Sequence, residues 1–401
     1  MEQVDIQSLE QIFYRKLASV DLRFKRYLYN QINWDVNLLG IKGARGVGKT
    51  TMLLQYIKEN FPTLEGVMYV SLDNIWFSSH RLEDLVEYLY THGVTHLFLD
   101  EVHRYENWSI LLKNFYDSYP GLKIVYTGSS MLEIDSSCSD LSRRQSLYTL
   151  LGLSFREYLE YEGIINLEPL TLESLLKNHV QYAMETIGKV KVLKHLEEYF
   201  HHGFYPYYKE AGKDYLMRVG EVVRLVIDQD VPAIEEIKYS TLQKLKTLLM
   251  VIAENVPLEP NINKLCEQLG SKRDLTLKMM YLLDRAGLLQ LLLDKPKDYK
   301  HLVGPKKIYL DNVNLMYALT PNVTIGTVRE TFFANQVAAS YGLTMPRKGD
   351  FMVDGKYLFE VGGAGKTFDQ IADLPDSYLA VDDVEVGSGN RIPLWIFGFL
   401  Y

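Results

Sequence analysis

Residues 43–50 of this chain read Gly-Ala-Arg-Gly-Val-Gly-Lys-Thr, which is glycine, four residues, and then Gly-Lys-Thr. Residues of these types at this spacing predict a phosphate-binding loop of the Walker A type. Glycines let successive backbone N–H groups turn toward a phosphate chain, and the helix that follows adds donors at its N-terminus. The Lys49 ammonium suits the β and γ phosphates, and the Thr50 hydroxyl suits Mg²⁺. The alternative is a glycine turn with a purely structural role. The predicted nucleotide contacts in this stretch are Gly43, Ala44, Arg45, Gly46, Val47, Gly48, Lys49, Thr50 and Thr51.

Two adjacent carboxylates, Asp100 and Glu101, follow the apolar run Leu97-Phe98-Leu99. A buried parallel strand would deliver both to its C-terminal edge, where open sheets bind ligands. Next to a phosphate loop, Asp100 is predicted to hold Mg²⁺ and Glu101 to orient and deprotonate the attacking water. Without such a loop, the pair would read as a strand that ends in two solvated acids.

Hydroxyl and guanidinium groups complete the set of candidate residues. Thr127 and Ser129 end the next apolar run, and either is a candidate sensor of the γ-phosphate or a cap of the following segment. Arg143 and Arg144 precede the fifth predicted strand. Either is a candidate arginine finger, and an exposed surface role is the equal alternative.

A sheet is needed to bring these residues together. Within residues 31–152, β-like runs alternate with amphipathic stretches, the pattern of an α/β fold with a parallel sheet and helices on both faces. The adjacent Asp and Glu indicate the branch of these proteins in which an additional strand separates the loop strand from the Asp strand. Residues 1–30 are predicted to be a helical lead-in. The predicted strands are Val36–Ile41, Val67–Leu72, His96–Asp100, Leu122–Thr127 and Leu147–Leu151.

Composition limits the classes of protein that fit. A net charge of −8 argues against coating of nucleic acid by the whole chain, although it leaves room for a local basic face. No apolar run approaches the roughly 18 residues of a membrane span, and the first five residues lack the basic residues of a secretion signal. A cytoplasmic protein without membrane contact is therefore expected. Cys138 and Cys266 fit neither a disulfide framework nor a zinc site.

The chain resembles the bacterial and archaeal predicted-ATPase family of the AAA+ superfamily, over nearly its whole length. The resemblance lies in Gly-Ala-Arg-Gly-Val-Gly-Lys-Thr, Leu-Phe-Leu-Asp-Glu-Val-His, Tyr-Thr-Gly-Ser-Ser and Leu-Ser-Phe-Arg-Glu-Tyr-Leu. It implies an ATPase core followed by a winged-helix-like unit and a nuclease-like fold. The biological role of that family is largely undefined. The family's Gly-Arg before the fifth strand reads Arg143-Arg144 here, so Arg144 carries over as the catalytic arginine.

The middle of the chain is predicted to be helical. Residues 153–235 are read as a helical lid, and residues 236–320 as a winged-helix-like unit of three helices and a two-stranded wing. Between Ser271 and Leu310, nine Lys or Arg residues stand against four Asp residues. This excess of positive charge favours duplex DNA as a partner, and a scaffold with a solvated basic face is the alternative. The candidate reading helix carries Lys272, Arg273 and Lys278, and the wing adds Lys295, Lys297, Lys300, Lys306 and Lys307.

Residues 321–401 resemble the restriction-endonuclease-like fold. Asp350 and Glu360 lie across a predicted hairpin and Glu330 lies at the head of a helix, a set that would bind a second Mg²⁺ in such a fold. The lysine expected two residues after Glu360 is Gly362, and the alternative is that Lys366 reaches back to this place, although holding its ammonium there would cost conformational entropy. A degenerate domain that cleaves DNA poorly or not at all is therefore predicted.

Together these patterns predict an ATPase that binds and hydrolyses Mg-ATP to switch or remodel a multidomain body, with Lys49, Glu101 and Arg144 as catalytic residues. The main alternative is a nucleotide-gated regulator that binds DNA or protein with negligible turnover of ATP. An ATP-dependent nuclease and a small-molecule kinase are less favoured. A protein partner and a homo-oligomer are both compatible with the sequence.

Overall fold

The structure is a computed structural model, and it describes residues 3–128, 141, 143–232, 237–295 and 303–401. The chain divides into two compact units, Met1–Leu151 and Gly152–Tyr401. The five segments predicted from the sequence therefore group into two units. The helical lead-in belongs with the predicted ATPase core, and the segment predicted as a lid belongs with the C-terminal half.

Five parallel strands form the sheet of the first unit in the order β2-β3-β4-β1-β5. The α/β fold class with a parallel sheet is confirmed. Strand β4 lies between the loop strand β1 and the Asp strand β3, so the predicted additional strand is present. The strands are β1 Leu38–Lys42, β2 Val67–Ser71, β3 His96–Asp100, β4 Lys123–Gly128 and β5 Ser146–Thr149.

Helices connect these strands. Because parallel strands are joined by right-handed crossovers, α2 lies on one face of the sheet and α3 and α4 lie on the other. Helix α1 buries Ile6, Leu9, Phe13 and Leu17, which recur every three or four residues along one face. This face packs against α2 and β2. The helices are α1 Gln3–Ser19, α2 Lys49–Asn60, α3 Leu82–Thr91 and α4 Trp108–Ser118.

The second unit contains helices, a hairpin and a mixed sheet. Strands β6 Leu289–Leu292 and β7 Lys307–Leu310 pair antiparallel. They follow three helices, as predicted for residues 236–320, while the winged-helix arrangement itself stays a prediction. The helices of this unit are Phe155–Tyr161, Leu172–Ile187, Val192–His202, Tyr208–Ala211, Tyr215–Leu225, Tyr239–Asn255, Ile262–Leu269, Arg273–Arg285, Val313–Leu319 and Ile325–Ala338.

The sheet of the second unit has the strand order β12-β11-β10-β9-β8. Its β8-β9-β10 part is antiparallel and its β10-β11-β12 part is parallel. One face is covered by a cluster of Leu358, Ile371, Leu379 and Val381. The nuclease-like character of this domain stays a prediction. The strands are β8 Leu343–Thr344, β9 Phe351–Val353, β10 Tyr357–Gly362, β11 Ser377–Val381 and β12 Arg391–Pro393.

The turn Gly203-Phe204-Tyr205-Pro206 is tightly packed against helices of the second unit. A Cβ at Gly203 would lie 2.2 Å from the Tyr199 ring, so a larger residue would not fit. The Phe204 N–H donates to Asn314 Oδ1 at 2.9 Å, and the Tyr215 hydroxyl donates to the same oxygen at 2.5 Å. These contacts give the turn a structural role.

Among the described helices, none is long and apolar enough to cross a membrane.

Candidate active site

The loop between β1 and α2 is shaped by its glycines. Gly48 has φ +96° and directly precedes Lys49, the first residue of α2, in a left-handed conformation that glycine adopts without steric penalty. A Cβ at Gly43 would lie 2.2 Å from the Leu150 carbonyl oxygen, so only glycine fits where β1 enters the loop. The chain thus passes from strand to helix in a tight turn that ends at a helix N-terminus, a favourable position for an anion.

Arg26 holds this loop from the N-terminal segment, a contact that the sequence does not predict. Its guanidinium is buried and donates to the carbonyls of Val47 and Leu151, the latter at 2.8 Å. A guanidinium that binds two backbone carbonyls fixes the loop relative to the segment that follows β5. The lead-in is therefore part of the framework of the site.

The Lys49 ammonium lies inside the loop. The side chain is buried, and Nζ donates to the carbonyls of Gly43 at 2.8 Å and Ala44 at 2.9 Å. This places the positive charge within the loop rather than at the surface. The predicted phosphate-binding lysine is thus held where the loop surrounds it.

Asp100 lies at the end of β3 and is only 1% exposed. Its carboxylate accepts hydrogen bonds from three hydroxyl groups: Thr50 Oγ1 at 2.8 Å, Tyr69 at 2.7 Å, and Thr127 Oγ1. The two predicted Mg²⁺ ligands, Thr50 and Asp100, are therefore in direct contact. These donors also stabilise the charge that burial penalises.

Tyr69 and Lys16 form an extension of this network that the sequence does not predict. The Lys16 ammonium donates to the Tyr69 hydroxyl at 3.0 Å, and Tyr69 donates onward to Asp100. Burial, followed by the charge of Asp100, raises the pKa of Tyr69 well above its usual value. Tyr69 therefore stays a hydrogen-bond donor, and it connects α1 to the carboxylate at the end of β3.

Glu101 is held in an uncommon backbone conformation, with φ +55° and ψ +42°. Its N–H donates to Thr127 Oγ1 at 3.2 Å, so Thr127 contacts both acidic residues. Because the only Thr127 O–H is donated to Asp100, the predicted role of Thr127 as a γ-phosphate sensor requires a rearrangement and stays a prediction. The other candidate sensor, Ser129, lies outside the described residues.

Arg144 is bound to Asp117 near the end of α4. Its Nε and Nη2 donate to the two Asp117 oxygens at 2.9 and 3.0 Å, and this pairing lowers the pKa of Asp117. In this geometry the guanidinium is used for a surface ion pair, which was one of the two alternatives for this residue. Its role as an arginine finger stays a prediction.

A cleft of about 1100 Å³ opens between the segments that follow β2 and β3. It is lined by polar and charged residues, including Asp73, Arg104 and Glu106, and by the apolar side chains of Ile75 and Ile110. Ile75 is 85% exposed. The sequence does not predict this cleft, which lies at the same edge of the sheet as Asp100 and Glu101.

In the second unit, Glu330 and Asp350 share a lysine. Lys307 Nζ lies 2.7 Å from Glu330 and 3.9 Å from Asp350, and the Tyr309 hydroxyl donates to Glu330 at 2.7 Å. Burial and the nearby Glu330 raise the pKa of Asp350. Within the described part of the chain, no group of three or more His, Cys, Asp or Glu residues is placed to hold a metal ion. The predicted set Glu330, Asp350 and Glu360 is therefore not gathered into such a group, and the ammonium groups of Lys307 and Lys366 lie against Glu330 and Glu360.

Lys366 is held against Glu360, which is the alternative in which this lysine reaches back to the strand. Its Nζ lies 2.6 Å from Glu360 Oε1. A Cβ at Gly362 would lie 2.8 Å from the Lys366 side chain, so the glycine in place of the expected lysine makes room for Lys366 to return to the strand. The sequence shows that residue 362 is glycine instead of lysine, but it does not show that this glycine leaves room for the Lys366 side chain.

The basic surface is smaller than the sequence count indicates. Lys272, which precedes the helix Arg273–Arg285, and Arg273 and Lys278 within it are exposed, while DNA reading by this helix stays a prediction. Lys307, however, is buried against Glu330, and Lys297 and Lys300 lie outside the described residues. Lys306 pairs with Asp294 at 3.4 Å. The charge count therefore overstates the positive face, while Lys272, Arg273 and Lys278 are exposed.

Comparisons with known proteins place the phosphate loop and the acidic pair inside one matched region. Residues 35–159 match the family model described as an AAA domain. An uncharacterized protein of Methanocaldococcus jannaschii is 26% identical over 390 residues, which cover 88% of this chain and 81% of that protein.

Solved structures of the replication initiator DnaA are also similar in part. The AMPPCP-bound DnaA of Aquifex aeolicus has 16% identity and a TM-score of 0.26, covering 69% of this chain and 88% of that chain. DnaA bound to AMPPCP and single-stranded DNA has 15% identity and a TM-score of 0.27, covering 68% and 86%. TM-scores this low say nothing about what the present chain binds.

Proposed function

We propose that this chain, whose residues 35–159 match the family model described as an AAA domain, binds Mg-ATP in the loop 43–50 and hydrolyses the β–γ bond. The observation that carries the proposal is the direct contact of Thr50 Oγ1 with Asp100 Oδ2 at 2.8 Å, one residue after the buried Lys49. This contact joins the predicted phosphate and metal ligands in one place.

Each of the proposed site residues has a separate role in phosphoryl transfer. Lys49 and the loop N–H groups bind the β and γ phosphates, and the N-terminus of α2 favours their negative charge. Thr50 and Asp100 would hold Mg²⁺, and the bound ion would supply positive charge that offsets the charge developing on the phosphates. Glu101 takes the proton of the attacking water, since it follows Asp100 directly and its side chain is partly exposed.

We further propose what ATP binding and hydrolysis do to this protein. ATP binding and turnover switch the protein between states in which the second unit binds or releases a partner. The exposed residues Lys272, Arg273 and Lys278 make duplex DNA the favoured partner.

Calorimetry with Mg-ATP tests the nucleotide site. Lys49→Ala is expected to weaken binding about 10- to 100-fold, the loss of a charged hydrogen bond of roughly 1.5–3 kcal/mol. Glu101→Gln should bind as wild type does, because it leaves the phosphate-binding groups intact. Lys58→Ala, at the far end of α2, is the matched control and should also bind normally. Wild-type protein that takes up no ATP would contradict the proposal.

For the sheet of the second unit we propose a binding or regulatory role without cleavage of DNA. Lys366 and Lys307 lie against Glu360 and Glu330, so a divalent cation would have to displace two ammonium groups. Supercoiled and single-stranded DNA incubated with Mg²⁺ or Mn²⁺ and ATP is expected to stay intact. Cleavage by wild type that disappears in Asp350→Ala would show that this domain is a working nuclease.

A further inference from the structure

His103 is a buried imidazole beside Glu101. It is 8% exposed, and neither ring nitrogen has a hydrogen-bond partner among the residues that the structure describes. Its Nε2 lies 3.4 Å from Glu101 Oε2, slightly beyond the usual length of a hydrogen bond. A buried polar group without a partner destabilises the fold. An imidazole kept here at such a cost points to a partner that is made during function.

The backbone explains how residue 103 comes back to residue 101. Glu101 has a left-handed conformation, and a short 3₁₀ turn at Val102–Arg104 follows it. The Glu101 conformation is stabilised by its N–H bond to Thr127. Left-handed conformations are costly for residues other than glycine and cluster at functional sites. Here this conformation turns His103 toward the Glu101 carboxylate.

The charges around His103 keep it neutral. Burial, together with the positive charges of Arg45, Arg104 and Lys49, lowers the pKa of His103 to about 3. Since Arg45 and Lys49 belong to the phosphate loop, the imidazole is also close to that loop. A neutral imidazole has one N–H donor and one acceptor, so it can donate to a carboxylate while accepting from another group.

We propose that His103 is a positioning residue for ATP hydrolysis, which donates a hydrogen bond from Nε2 to Glu101 and fixes the carboxylate toward the attacking water. The proposal rests on the ATPase function proposed above. Closing the present 3.4 Å gap to a normal hydrogen-bond length would satisfy the imidazole and restrict the Glu101 side chain. Orientation of a catalytic group in this way acts on the chemical step and leaves ATP binding unchanged.

The test is the steady-state kinetics of His103→Ala and His103→Gln, with ATP binding measured in parallel. His103→Ala is expected to lower kcat about 10²-fold, the typical effect of a misplaced catalytic group, with KM and the Kd for ATP unchanged. His103→Gln supplies an amide N–H of similar reach and should recover most of that loss. His96→Ala, at the other end of β3, is the matched control and should keep the wild-type kcat.

Several results would overturn this role. His103 would have only a packing role if His103→Ala kept the wild-type kcat or changed KM alone. The same conclusion would follow if His103→Gln were as slow as His103→Ala while both variants had the melting temperature of wild type. If His103→Ala does not fold, the comparison of His103→Gln with wild type decides, since a loss of kcat by about 10²-fold there also contradicts the proposal. Wild-type protein without ATP turnover would remove the proposed function itself, whereas turnover that is indifferent to His103 would remove this inference alone.

Discussion

At the scale of single residues, the site is centred on the Asp100 carboxylate and its hydroxyl donors. The sequence predicted Thr50, Thr127 and Asp100 as site residues, because each follows a recognisable strand or loop. It could not predict Tyr69, since this requires the register between strands. In the structure Ser71 pairs with Asp100, which puts Tyr69 two residues back on the same face of the sheet. Nothing in the local sequence specifies that alignment.

The Tyr69 hydroxyl is expected to stabilise the first unit. Tyr69→Phe leaves one donor fewer on a buried carboxylate and removes the acceptor of Lys16, and should lower the free energy of unfolding by about 1–3 kcal/mol. Chemical denaturation followed by near-UV circular dichroism measures the effect. Tyr14→Phe, on an exposed position of α1, is the control and should change nothing. Equal stability of the two variants would mean that the Tyr69 contact is energetically neutral.

At the scale of elements, hydrophobic periodicity predicted the strands of the first unit and the helices of the second closely. Hydrophobic periodicity and residue counts do not predict contacts between residues that are distant in sequence. A count of basic residues cannot tell that Lys307 is buried against Glu330, and the missing lysine at Gly362 does not show that Lys366 folds back to Glu360. Both depend on which side chains a distant strand or helix brings near.

The helix Arg273–Arg285 is the element expected to contact DNA. Changing Lys272, Arg273 and Lys278 together to Glu should abolish binding of duplex DNA, because carboxylates would replace the cations that contact the phosphates, and wild-type log K should fall with log[salt] by about 0.9 for each phosphate contact. Fluorescence anisotropy across a salt series measures both quantities. The matched control is Lys177, Lys189 and Lys191 changed to Glu, which alters the net charge equally on other exposed positions. Equal loss in both variants would indicate a general charge effect, and no binding by wild type at low salt would favour the scaffold alternative.

At the scale of the whole molecule, the residues proposed for ATP chemistry lie in the first unit, inside the region that matches an AAA domain. The resemblance to AAA+ ATPases that the sequence motifs indicated is confirmed there. The second unit was less predictable, because its helices and sheet carry no motif as specific as the phosphate loop. The predictions of a winged-helix-like unit and a nuclease-like fold depend on how its helices and strands are arranged in space, and hydrophobic periodicity alone does not determine that arrangement.

The most direct test of the account is the steady-state rate of ATP hydrolysis by wild type and by Glu101→Gln, each with its ATP affinity measured in the same buffer. The account predicts Mg²⁺-dependent turnover by wild type and a loss of about 10²–10⁴-fold in Glu101→Gln with ATP binding retained, because only the general base is removed. Binding of ATP by wild type without turnover, or full turnover by Glu101→Gln, would contradict it.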